Sequence, residues 1–75
     1  VFTSNIIEAL MNNIDDVTYL KIVEAESLLL GESNRHIDKA WVYYNKAQGL
    51  WNNGKLQSAI SYYAKVIGKV KDALK

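Results

Sequence analysis

Two adjacent carboxylates, Asp15 and Asp16, and the pair His36 and Asp38 are the groups in this 75-residue sequence whose types suit a hard metal ion. Their spacing argues for another role. A calcium loop strings carboxylates at alternate positions ahead of a Gly, whereas neighbouring carboxylates before a helix cap its free amides and complement its dipole. His36 falls in a first helical turn and reads as solvent-facing. With one His and no Cys, no imidazole cluster or thiolate site can be assembled. Glu8, Glu24 and Glu26 are the candidates for acid and base work. Residues two apart point to different sides of a helix, so Glu24 and Glu26 do not pair, and neither a nucleophile elbow nor a Gly-rich phosphate loop accompanies them. The expectation is a chain that is not an enzyme and takes no metal or cofactor.

The cations and aromatics remain. Lys55, Lys65, Lys69, Lys71 and Lys75 gather on the last helical pattern, where the helix dipole favours cations near its C-terminus by about 0.3–1 kcal/mol each without any ligand. A net charge of +1 provides no whole-chain field to steer the protein to nucleic acid or anionic membrane. Trp41, Tyr44 and Trp51 share one helical stripe and are assigned to the core. Tyr43 and Tyr62 lie beside the seams, where an exposed aromatic makes a good contact point. With Lys65 and Lys69 they form the candidate partner surface.

The elements that position these residues are helices. Proline is absent and the four glycines fall sparsely. A first pattern, Ser4 to Asn13, places Phe2, Ile6, Leu10 and Ile14 four apart, with Asn5 and Glu8 as a capping box. Asn12 and Asn13 are weak helix formers and Asp15 or Asp16 can cap a new helix, which predicts a break there; one helix through Leu30 is the alternative. The second pattern, Asp16 to Leu30, spreads Val17, Leu20, Ile22, Val23, Ala25 and Leu28–Leu30 around more than half its circumference and is expected to be central. Gly31 suits the left-handed residue that ends it, and Ser33 the next N-cap. A third helix, about Asn34 to Asn53, carries Ile37, Ala40, Trp41, Tyr44, Ala47 and Trp51 on one stripe, and Gly49 raises the possibility of a close backbone approach. After Asn53-Gly54, a fourth carries Leu56, Ile60, Tyr63, Ile67, Val70 and Leu74 as its seam, widened by Ala59 and Val66.

The stretch AWVYYNKAQGLWNNGKLQSAISYYAKV resembles the antiparallel helix pair of tetratricopeptide-type repeats. With Asn53-Gly54 as the inter-helix turn, Tyr43 takes the first large aromatic position, Ala47 the small one and Leu50 the second bulky one. Ala59 and Tyr63 take the small and aromatic positions of the second helix. The resemblance implies two helices crossing closely at their small residues. Val66 replaces the usual small Ala and no Pro follows Lys71. The long last helix is also similar to that of the microtubule-interacting and trafficking domain, whose third helix follows the hairpin.

These patterns predict one all-α domain over residues 1–75, a small antiparallel three- or four-helix bundle with its last two helices as the strongest pair. It has no Cys and no span of 18 apolar residues. Its core closes within one chain, so an isolated monomer is expected. Val1 in place of Met suggests a module cut from a longer protein, and placement outside the cytoplasm as part of that protein is the working expectation. The function expected is an interaction or spacer module that meets a protein partner or neighbouring domains, with no nucleic acid and no membrane span. The alternatives are an accessory helical domain of a larger enzyme, secreted or not, and anionic-surface binding through the Lys-rich last helix.

Overall fold

Among the described residues the chain forms three helices and no strand: α1 (Phe2–Leu28), α2 (Arg35–Asn52) and α3 (Leu56–Ala73). The computed structural model describes the backbone of residues 2–75 and the side chains of residues 8–75. The side chains of Phe2 and Ile6, and that of Asn5 in the capping box with Glu8, lie outside the described residues. The helices pack into a rod of 44 × 16 × 16 Å.

The predicted break near Asp15 is absent, because α1 runs unbroken through Asn12, Asn13 and both aspartates. Its buried stripe, Met11, Thr18, Ile22 and Ala25, continues across the proposed junction at helical spacing. The two asparagines are exposed and cost only a few tenths of a kcal/mol each in propensity. Thr18 returns its hydroxyl to the Ile14 carbonyl at 2.7 Å and so leaves no buried donor unmet.

Both turns close with the same pair of backbone bonds. After α2, Gly54 N–H donates to Trp51 O and Lys55 N–H to Leu50 O, at 2.9 and 2.8 Å, with Gly54 left-handed at φ 78°. After α1, Leu30 N–H donates to Ser27 O and Gly31 N–H to Glu26 O, at 3.1 and 3.2 Å. The closing left-handed residue is therefore Leu30, at φ 56°, one position before the expected Gly31, which is itself at φ 76°. The next cap is also displaced by one. Asn34, with extended backbone, accepts from the amides of His36 at 2.8 Å and Ile37 at 3.4 Å in the role assigned to Ser33.

The α2–α3 hairpin is the most closely packed pair, and α1 lies along it. Ala40, Ala47 and Ala59 are wholly buried, which lets helix axes approach, and Ile37, Tyr44, Tyr63, Val66 and Val70 fill the space beside them. The α3 seam is rotated from the expected one. Ala59, Val66 and Ala73 are in the core, whereas Ile60 and Leu74 are exposed. The second pattern is correspondingly not a central helix: Val17, Leu20, Val23 and Leu28 are exposed. A helix that covers a hairpin from one side has one buried face, however many apolar residues it carries. Trp41 and Trp51 are half-buried at the rim of the core and not within it. A Cβ at Gly49 would meet nothing within 4 Å, so no backbone approaches there.

Candidate functional site

Six of the described aromatic residues fall into two stacked groups. The inner group links all three helices. Tyr19 of α1 stacks edge-on with Trp41 at 5.7 Å, Trp41 with Tyr44 at 5.8 Å, and Tyr44 with Tyr63 at 6.2 Å between ring centroids. Asp15 is the polar centre of this group. Its carboxylate accepts from the Tyr63 hydroxyl at 2.6 Å and the Tyr44 hydroxyl at 2.9 Å, while Gln48 Nε2 donates to Asp15 at 3.3 Å and to the Tyr44 oxygen at 3.1 Å. The residue expected to cap a helix instead receives one phenol from each of the other two helices. Burial, and next the hydrogen bond to Asp15, hold both phenols well above the ordinary tyrosine range. Among the described residues no buried side-chain donor or acceptor lacks a partner, and this network ties the three helices together.

The outer group is smaller and differently surrounded. Tyr43 of α2 and Tyr62 of α3 lie 5.8 Å apart, both half-buried against the core and not free at the surface. Lys65 stands over Tyr62 at 4.5 Å and over Tyr43 at 6.0 Å, and Lys46 reaches the Tyr62 ring at 5.4 Å from the other helix. Each such contact contributes about 0.5–1 kcal/mol at an exposed site. Beside this group, Lys69 of α3 joins Arg35, His36, Lys39 and Val42 of α2 around an open cleft of about 540 Å³, with Asp38 its one acidic neighbour. Of the four candidate contact residues, Tyr43, Tyr62 and Lys65 thus meet directly, and Lys69 lines the adjoining cleft.

Sequence reasoning missed Arg35, Lys39 and Lys46, which complete this basic face. The signal was present in the order of the charges. Eight of the nine Lys and Arg lie from Arg35 onward, and six of the eight Asp and Glu lie in residues 1–34, so a net +1 conceals −5 on the first part and +6 on the hairpin. Among the described residues the one ion pair is the exposed contact of Lys75 with Asp72 at 3.8 Å, leaving the cations of the basic face without carboxylate partners within salt-bridge distance.

A second opening runs between α1 and α3. Ile14, Val17, Ile60 and Ile67 line an apolar cleft of about 420 Å³, continued by Leu10, Met11 and Leu56 around another of about 300 Å³. It marks where α1 covers α3 incompletely. Among the described residues no three His, Asp or Glu converge as a metal set, and no helix is long and apolar enough to cross a membrane. Compared with protein-family models, curated proteins and solved structures, the chain finds no match.

Proposed function

We propose that this chain is a non-catalytic helical interaction module whose contact face is the basic, aromatic side of the α2–α3 hairpin, and that this face takes an acidic protein surface. The observation that carries the proposal is the convergence of Lys46 and Lys65, from different helices, on the Tyr62 ring with no carboxylate within salt-bridge distance of either. Bringing like charges together is unfavourable, and an incoming anionic surface relieves it while the two rings supply apolar contact. The tetratricopeptide-like hairpin pattern supports the same reading, since a close helix pair presents a fixed face to a partner.

Titrating the isotope-labelled protein with a glutamate-rich peptide, and separately with a glutamine-rich one, tests this by amide chemical shifts. Shifts confined to the faces of Lys39, Tyr43, Lys46, Tyr62, Lys65 and Lys69, seen with the acidic peptide alone and suppressed by salt, are expected. Equal response to the neutral peptide, or shifts centred on α1, would overturn the assignment.

A further inference from the structure

We infer that the acidic surface this basic face receives is the outward side of α1 from a second copy of the chain, so that copies associate head to tail. This rests on the basic face being a contact surface and names what covers it. Turned away from the core, α1 carries Asp16, Leu20, Val23 and Ser27 at spacings of four, three and four, all exposed, with Lys21, Glu24 and Glu26 exposed at its edges, where Lys21 and Glu24 border a cleft shared with Lys71 and Glu26 accepts from the Trp41 indole. Leu20 is 61% and Val23 39% exposed, and on the hairpin Val42 is 56% exposed among its cations. One face is therefore acidic with an apolar centre and the other basic with an apolar and aromatic centre.

The dimensions agree. At about 1.5 Å per residue, Asp16 to Glu26 extends about 15 Å and Arg35 to Lys46 about 16 Å. Each patch thus covers about 15 by 16 Å of a rod side of 44 by 16 Å, well under the ~800 Å² per partner of a standard interface, as befits a weak and concentration-dependent association. Charge also selects the geometry. Pairing a patch with itself would set basic against basic or acidic against acidic, whereas joining the two different patches opposes the −2 of Asp16, Lys21, Glu24 and Glu26 to the +4 of Arg35, Asp38, Lys39, Lys46, Lys65 and Lys69. Each chain closes its own core, so folding needs no partner, and the association is one of finished surfaces. Because the charges are exposed, it weakens steeply with salt.

Sedimentation velocity of the full chain at roughly 0.01 M and 1 M salt, where the screening lengths are about 30 and 3 Å, provides the test. Species that grow with concentration at low salt and revert to monomer at high salt are expected. Lys46→Glu with Lys65→Glu, and separately Asp16→Lys with Glu24→Lys, alter exposed positions and should each leave a helical monomer by circular dichroism. Mixing the two variants should restore association, since each then offers the charge the other lacks. A wild type that stays monomeric at low salt, or variants that remain apart on mixing, would overturn the inference. If the glutamate-rich peptide still binds the hairpin in that case, the contact face stands and its occupant is another acidic protein; if peptide binding fails too, the contact face falls with it.

Discussion

Replacing Asp15 by Ala should loosen the whole bundle, because its carboxylate is where α1 meets a phenol from each of the other helices. Hydrogen bonds to a charged group contribute about 1.5–3 kcal/mol each, and Asp15 is half-buried, so the lower end applies. Two bonds then imply a loss of about 3 kcal/mol. For a domain of this size each kcal/mol shifts the melting temperature by about 4–8 °C, which predicts a fall of about 12–24 °C in a circular dichroism melt. Asp15→Asn retains one acceptor oxygen and should lose about half as much. The control is the Tyr44→Phe/Tyr63→Phe background, in which no buried hydroxyl is left to orphan. There Asp15→Ala should cost less than about 1 kcal/mol. An equal drop in both backgrounds, or a drop below about 4 °C in the wild type, would show that the network does not hold the helices together.

The raised phenol pKa values of Tyr44 and Tyr63 make the fold labile to alkali. The unfolded chain releases these protons near pH 10 and the folded one later, so stability is intact below about pH 10 and falls above it by up to ~1.4 kcal/mol per pH unit for each tyrosine. Urea titrations between pH 9 and 11 should show this slope in the wild type, and its persistence in Tyr44→Phe/Tyr63→Phe would refute the cause. Gly49→Ala and Gly68→Ala enter open space within helices, and each should raise stability by about 0.5–1 kcal/mol in the same titration. Trp41, half-buried with its indole N–H donating to exposed Glu26 at 3.3 Å, should cost about 2–3 kcal/mol on change to Ala, less than the ~3–5 of a fully buried aromatic. Tyr43→Ala with Tyr62→Ala should cost about 2 kcal/mol by thermal melt, since both rings pack on the core; a loss under about 0.5 kcal/mol would place them at the free surface.

Much of the helical architecture was legible in the chain because it depends on near neighbours. Period and turn residues within a few positions set the α2–α3 hairpin, its Asn53-Gly54 turn and its Ala47 and Ala59 contacts. The course of α1 was not legible, since two adjacent aspartates after two asparagines look locally like a helix start. What keeps α1 continuous lies elsewhere: the donors to Asp15 are 29, 33 and 48 residues further along. The core membership of Met11 and Thr18 over Val17 and Leu20 was equally hidden, because their order in the chain does not say from which side the hairpin will be covered.

For the candidate site the division runs along the same line. The sequence alone determined an all-helical chain, an off-seam position for Tyr43 and Tyr62, and the segregation of acidic from basic residues. Tertiary structure alone decided that Lys46 and Lys65 meet over one ring, that Lys69 shares a cleft with Arg35 and Lys39, and that of two adjacent aspartates Asp15 turns inward to Tyr44 and Tyr63 while Asp16 is exposed. Helical periodicity fixes the angle of each side chain about its own axis, but the rotation of one helix against another follows from how their large and small residues interlock, and a face made from two helices exists only once that rotation is set.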